Sequence, residues 1–261
     1  MAQFGNFTDI GVDISDYIAT IEIRKPPNNF FDVSLIGQIA DAFESLDKED
    51  SCRVILLCAQ GKHFCAGNDF SKPAADVTRH DGHKNPLYAM GVRLFQTKKP
   101  SVGAIQGSAI GGGLGLALAT DFRVASPEAR FSANFSLLGF HHGFGLTMTL
   151  PRLIGQQQAN LMLYTGRRLT GDQALALGLC EYLVPLEELR PKARELAAEI
   201  AAAAPLAVQS IRATMRAGMA EGYAKATDHE SNEQARLRLT EDFKEGTAAV
   251  AARRPGMFTN R

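Results

Sequence analysis

The sequence predicts an α/β core that passes into an all-helical C-terminal region, and three observations carry this. Short apolar runs with strand character, Arg53 to Ala59 and Ser101 to Gln106, alternate with stretches of helical period. Each of those runs leads at once into a segment of small residues, where a strand turns away from a sheet. From about Gln156 onward the strand signals fade and Ala, Leu, Glu, Arg and Gln dominate, which are helix-forming residues.

Taken in order, Tyr17 to Arg24 alternates β-branched and polar residues as a half-buried strand does, and Pro26-Pro27 ends it. Ser34 to Leu46 puts Leu35, Ile39, Ala42, Phe43 and Leu46 on one helical face. Arg53 to Ala59 is continuously apolar, as a strand covered on both faces is, and Gln60-Gly61 closes it. Strands are expected at Ser101 to Gln106 and Phe122 to Ala125, with a helix from Gly112 to Thr120 between them. Helices are then expected over Gln156 to Tyr164, Thr170 to Leu177, Leu186 to Ala203, Leu206 to Met219 and Ala224 to Ala252. The Ala-rich stretch Ala197 to Ala204 has charged flanks at Arg194, Glu195 and Glu199, which suits an amphipathic helix whose small face packs closely on a neighbour. Lys72 to Pro86, dense in charge, Pro and Gly, is expected to be a mobile loop.

With 261 residues, 45% of them hydrophobic, the chain can bury one substantial core or a core plus a helical appendage. Its 28 basic and 28 acidic residues cancel, so no global field favours nucleic acid or an anionic membrane, and an anionic ligand needs a local basic site. Cys52, Cys58, Cys65 and Cys180 lack CxxC spacing and the density of a disulfide scaffold, which fits a reducing compartment. Met1 to Asp13 has no basic region followed by an apolar run, so no signal peptide is read and a cytoplasmic location is expected. Val102 to Ala119 is apolar, but glycines, Gln106 and Ser108 interrupt it, where a spanning helix wants about 20 predominantly apolar residues. No metal site is expected, because no HExxH or Cys cluster is present and His141 and His142, as sequence neighbours, do not converge on one ion.

Two segments concentrate the chemistry. Lys62 to Phe70 (KHFCAGNDF) places Ala66 and Gly67 where a backbone can approach a ligand. Gly107 to Gly115 (GSAIGGGLG) follows a strand, and its three consecutive glycines leave bare N–H groups at a helix N-terminus, where orphan donors and the helix dipole favour negative charge. The second segment matches neither GxxxxGK[ST] nor GxGxxG, which argues against a phosphate cradle of those types.

Together the two segments, of the forms FxAGxD and GxxxGGG, resemble those of the crotonase (enoyl-CoA hydratase/isomerase) superfamily. The resemblance extends through Arg24-Lys25-Pro26, Asn28-Asn29, Lys99-Pro100, Asp121, Phe131, Gly139, Arg152 to Gly155, Thr165 to Leu169, Ala174 to Gly178 and Val184-Pro185. It implies a spiral of ββα repeats over residues 1–195, followed over 196–261 by a helical module that mediates trimers, often paired as hexamers. It implies an acyl-CoA substrate, with no cofactor beyond the CoA moiety and neither nucleic acid nor membrane as partner. Each segment would give one backbone N–H to an oxyanion hole, and the positions carried over are Ala66 and Gly112. Phe64, Gly67, Asn68, Asp69, Phe70, Gly111, Gly115, Phe135 and Leu138 would surround the substrate. Arg24, Lys25, Lys62, Arg253 and Arg254 would meet the phosphates of the coenzyme.

The chain departs from the family pattern at one functional point. Where hydratases of the superfamily carry two glutamates that act on water and the α-carbon, this chain has Gly115 and Phe135, and neither side chain moves a proton. His142, and less so His141, stand a few residues beyond Phe135 as candidate acids or bases for a lyase, hydrolase or decarboxylase variant. A reading of another class is an acyl-CoA-binding protein that kept the hole and lost the catalysis. His80, Asp81 and His83 read as a solvated cluster, and Asp69 as a brace for its turn.

Overall fold

The computed structural model describes residues 6–69 and 85–261. A six-stranded sheet runs in the order β1 (Ile10–Ser15), β2 (Ile18–Ile23), β3 (Val54–Ala59), β4 (Ser101–Ile105), β6 (Phe122–Ala125) and β9 (Tyr182–Leu183), antiparallel only between β1 and β2. A second sheet runs β5 (Ser108–Ile110), β7 (Arg130–Ser132) and β8 (Arg168–Thr170). The chain alternates between the two, β4 to β5 and β6 to β7, and this stepping generates the expected spiral. Nine helices are described: α1 (Val33–Asp47), α2 (Pro86–Gln96), α3 (Gly112–Ala119), α4 (Leu146–Thr165), α5 (Gly171–Ala176), α6 (Leu189–Ala202), α7 (Pro205–Met215), α8 (Met219–Leu237) and α9 (Glu241–Ala251). None of them is long and apolar enough to cross a membrane.

The apolar run of β3 is buried throughout because alternate side chains enter two different cores. Ile55, Leu57 and Ala59 join α1 in the main core, while Val54, Leu56 and Cys58 face α6. On α6 the side chains that meet the sheet are Ala193, Ala197 and Ala201, one per turn, so the small face expected of this stretch lies against the sheet. Helix α1 begins where Asp32 accepts from the Leu35 N–H at 2.8 Å, and α2 where Asn85 caps and Pro86 occupies the first turn.

Several boundaries differ from expectation for identifiable reasons. The helix expected over Gln156 to Tyr164 forms, and a further helical segment from Leu146, in which Pro151 breaks the sequence signal, precedes it across a kink at the non-helical Gly155 (φ 74°), the two together being α4. The stretch from Ala224 to Ala252 is two helices, with Thr240 capping the second through the Phe243 N–H. Strand β1, helix α2 and the short strands β5, β7, β8 and β9 form where no element was assigned. The expected boundary between residues 195 and 196 falls inside α6. The expected mobile loop lies outside the described residues except for Asn85 and Pro86, which begin α2, and His80, Asp81 and His83 lie outside them altogether.

Helix α7 is locked to the main sheet through Asp121, which sits at the start of β6. Its carboxylate accepts from the Ser101 N–H (2.8 Å), Arg212 Nε (2.8 Å) and Arg216 Nη1 (2.5 Å), and the Arg212 guanidinium also donates to the Thr97 carbonyl. Burial alone would raise the pKa of Asp121, but the two guanidinium groups hold it below the ordinary carboxylate value. Asp121→Ala leaves two buried cations without their counter-ion, and we expect it to destabilise the fold by about 3–5 kcal/mol. Urea denaturation checks this against Glu128→Ala, an exposed change expected to stay within about 0.5 kcal/mol of the parent.

Candidate active site

The site forms where the two small-residue segments meet. Phe64 N–H donates to the Gln106 carbonyl (2.8 Å), Cys65 N–H to Ser108 (2.9 Å), and Ile110 N–H back to Cys65 (3.1 Å). The ring of His63 accepts from the Ser108 N–H at 3.1 Å. Contact is so close that a Cβ on Gly113 would lie 2.2 Å from the Cys65 carbonyl oxygen. A third segment closes the other side: Ala66 N–H donates to the Asn28 carbonyl (3.0 Å) and Phe31 N–H to Gly67 (2.9 Å). The fully buried Asn29 braces that segment, its amide donating to the Gln60 and His63 carbonyls at 2.9 and 2.6 Å.

A cavity of about 270 Å³ opens at this junction. Of the expected site residues, Ala66, Gly67, Asn68, Gly111, Gly112, Phe135 and Leu138 line it. Ala66, however, does not present a free donor, because its N–H is spent on Asn28. The N–H groups of Asn68 and of Gly112, the latter in the first turn of α3, have no partner among the described residues, and the carry-over to Ala66 is corrected accordingly. Phe64 is buried beneath the segment rather than on the wall, Asp69 is partnered, and Phe70 lies outside the described residues.

Gly115 is also off the wall, and the reason is steric. Phe144 occupies the space above it: a Cβ on Gly115 would come within 2.8 Å of the Phe144 ring and 3.0 Å of its carbonyl oxygen. Phe144 reaches that place only by adopting φ 55°, an uncommon backbone state for a bulky residue. Its ring packs edge-on to Phe31 (4.7 Å between centroids) and near Tyr223 (5.9 Å). Phe135, on the cavity wall, packs on Phe140 at 5.2 Å, so the positions of both family glutamates belong here to an aromatic lining.

Neither histidine reaches the cavity, which corrects the expectation of an imidazole acid or base. His142 is buried behind Phe135, ring centroids 5.4 Å apart, and hydrogen-bonds with the Leu163 backbone. Burial first, then the neighbouring His141, lowers its pKa to about 4, so it is neutral near pH 7. The ring of His141 meets the His142 carbonyl at 2.9 Å and the ring of His229 at 5.8 Å. The five cations proposed for the coenzyme also lie off the wall. Arg24 pairs with Glu22, Lys25 with Asp32 and Asp9, and Arg254 with Glu245, while Lys62 and Arg253 have no ion pair among the described residues. Among the described residues no group of side chains is arranged to hold a metal ion.

The wall includes residues that sequence reasoning missed. Tyr88 donates to Gln234 Oε1 at 2.9 Å, and Gln234 Nε2 donates to the His141 carbonyl at 3.0 Å. Asp32, Phe31, Phe140, Phe144 and Arg238 complete this part of the lining. Residues 88, 234 and 238 sit on α2 and α8, which no local motif marks. Helix α8 also holds the Phe144 turn: Glu230 accepts from the Gly145 N–H (2.7 Å), the Thr147 N–H (3.1 Å) and the Thr147 hydroxyl (2.5 Å), capping α4 from outside its own sequence.

The comparisons with known proteins agree with this geometry. The family model for enoyl-CoA hydratase/isomerase matches residues 13–261. The chain is 30% identical over 264 residues to crotonyl-CoA hydratase from Syntrophomonas wolfei, covering 98% of this chain and 99% of that protein. It is 34% identical over 250 residues to carnitinyl-CoA dehydratase from Proteus mirabilis, covering 94% and 95% respectively. The crystal structure of an enoyl-CoA hydratase/isomerase from Pseudoalteromonas atlantica superposes with a TM-score of 0.85 at 27% identity, covering 97% of this chain and all of that one.

Burial pushes the pKa of Glu230 up from 4.5 to about 7, against the three hydrogen bonds that lower it. Between those values the folded chain holds a proton that the unfolded chain releases, so this residue's contribution to stability is lost as pH rises through that window. The stability of the parent relative to Glu230→Gln is therefore expected to fall by about 3 kcal/mol across it. Urea titrations of both proteins below, within and above the window check this, and a constant difference is the contrary result.

Proposed function

The chain belongs to the enoyl-CoA hydratase/isomerase family, and from that premise we propose that its cavity takes an acyl-CoA thioester with the carbonyl oxygen directed at the N–H groups of Asn68 and Gly112. The observation that supports this reading is that these two N–H groups lie on the cavity wall without a partner among the described residues, while the Ala66 N–H, in the same segment as Asn68, is consumed by Asn28. A thioester that gains enolate or tetrahedral character accumulates charge on that oxygen, and each aimed donor stabilises it by about 3 kcal/mol. The dipole of α3 adds to the effect at Gly112. Aromatic walls make the surroundings poorly polarisable, so each N–H···O interaction is stronger than it would be in water.

The protein is thus read as an acyl-CoA-processing enzyme of this family, acting through an oxyanion-stabilised intermediate. Its relatives include a crotonyl-CoA hydratase and a carnitinyl-CoA dehydratase, which favours a short-chain acyl group and lyase chemistry. Direct activation of water by side chains at 115 and 135 is not part of the reading, because those positions are glycine and phenylalanine. Hydrolysis or decarboxylation through His142 receives no support from its place behind Phe135. Assembly into trimers or hexamers and a cytoplasmic location remain part of the proposal by family likeness.

The test follows hydration, thioester hydrolysis and CO2 release in parallel over a panel of acyl-CoA thioesters. Binding without turnover across the panel favours the acyl-CoA-binding protein, and no binding at all removes the reading. A conjugated enoyl-CoA thioester reports the hole directly: its absorption is expected to move to longer wavelength on binding, and an unmoved spectrum at saturation contradicts the donor pair. Gly112→Ala brings a Cβ to 2.7 Å from the Phe31 ring and so displaces the donor. We expect it to remove most of the spectral shift and to lower kcat/KM by about a hundredfold, checked by steady-state kinetics.

A further inference from the structure

Arg238, at the C-terminal end of α8, is the exception among the buried and half-buried arginines of this fold. Arg123 pairs with Glu181 and donates to the Leu179 and Thr120 carbonyls, and Arg212 and Arg216 share Asp121. The Arg238 side chain makes no hydrogen bond or ion pair among the described residues, yet the residue lines the cavity. Its guanidinium instead lies against two phenyl rings that meet each other edge-on, 5.3 Å from the Phe140 centroid and 5.9 Å from that of Phe243. Burial disfavours its charged form, and the nearby Tyr88 opposes this.

The polar groups nearest it on the wall, and the acid of its own helix, are already committed. Asp32 accepts from Leu35 N–H and pairs with Lys25 at 2.5 Å, so its charge is neutralised locally. Tyr88 and Gln234 are satisfied in series by each other and by the His141 carbonyl. Glu230, two turns back on the same helix, faces Gly145 and Thr147. A planar cation with its donors unspent, lying against aromatic faces on the wall of the cavity, lacks a planar anion.

We propose that Arg238 is the specificity residue for a carboxylate at the far end of the acyl group, so that the substrates are CoA monothioesters of dicarboxylic acids. This rests on the reading that the cavity takes an acyl-CoA thioester. The guanidinium fork pairs with the two carboxylate oxygens, the phenyl rings keep it from swinging out to water, and the thioester at the other end meets Asn68 and Gly112. A contact from Arg238 to the phosphates of the coenzyme is the competing role, and it differs in one observable: phosphates are common to every CoA ester, whereas the terminal carboxylate is not.

Calorimetric titration of the full-length protein with length-matched pairs separates these cases, using glutaryl-CoA against pentanoyl-CoA and adipyl-CoA against hexanoyl-CoA. The parent is expected to bind the carboxylate-ended member of at least one pair roughly ten- to a hundredfold more tightly. Arg238→Met is expected to abolish that preference while keeping its affinity for the methyl-ended ester, which also shows that the variant is folded. Arg238→Lys is expected to keep part of the preference. Equal affinities of the parent for both members of both pairs overturn the proposal, as does an equal loss for both members in Arg238→Met, which assigns the residue to a phosphate. Failure of the parent to bind any of the four esters sinks the acyl-CoA reading itself.

Discussion

Everything at the site depends on one short backbone ladder, that between residues 64–65 and 106–110. It crosses outside the central sheet, where β3 and β4 have already paired, and brings two loops together with no side chain between them. Such an approach needs Gly113, since any Cβ there would overlap the Cys65 carbonyl. The same ladder fixes the pose of the segment from Cys65 to Gly67, which the strip from Asn28 to Phe31 then pairs from the other side. Backbone donors in this segment are therefore allotted by neighbours distant in sequence, and the N–H left over is that of Asn68. The helix dipole, the glycine-rich turn and the aromatic lining all act on a geometry that these few hydrogen bonds define.

A second dependency runs from α8 to the turn at residues 143–145. Phe144 holds an unfavourable backbone conformation because Glu230 takes up the free N–H groups beyond it and because Phe31, Tyr88 and Tyr223 surround its ring. That ring fills the space over Gly115. Gly143 is equally constrained, since a Cβ there would lie 2.3 Å from the Tyr88 hydroxyl and 2.6 Å from Gln234 Nε2. Glycine at 115 and phenylalanine at 144 are thus one packing solution in which an aromatic ring stands where a longer side chain at 115 would project. The C-terminal helices take part in it directly, which is why a division of the chain after residue 195 misses their relation to the cavity.

The sequence made legible what local chemistry encodes. The apolar β3 run, the amphipathic α1, the small face of α6 and the two glycine-bearing segments were all readable, because periodicity and Gly placement are local signals. Pro151 hid the first half of α4 for the same reason, since a proline reads as a break, whereas Gly155 does interrupt the helix and α4 kinks there. The choice of Ala66 over Asn68 failed because which N–H is consumed depends on Asn28, almost forty positions upstream, a difference no motif spacing reports. His142 misled through proximity in sequence to Phe135; the turn carries its ring to the far side of that phenyl group. Arg238 was invisible, since a single arginine near a helix end most often faces water, and only the fold shows it against Phe140 and Phe243 beside the cavity.

The lining also constrains what kind of polar ligand group the cavity can accept. In a wall built from Phe31, Phe135, Phe140 and Phe144, an uncompensated dipole or charge is costly, so each polar feature of a bound molecule must meet a group with donors or acceptors to spare. Asn68 and Gly112 have donors to spare and nothing to donate to, which suits one oxygen bearing partial negative charge. Tyr88 and Gln234 have spent theirs on each other and on His141. The Arg238 guanidinium also has donors to spare, and because it has donors only it selects an acceptor-only partner. A molecule that leaves Asn68 and Gly112 facing an apolar group, or that sets a donor against Arg238, strands polar groups at a cost of about 1–3 kcal/mol each, and the cavity rejects it for that reason rather than for its size.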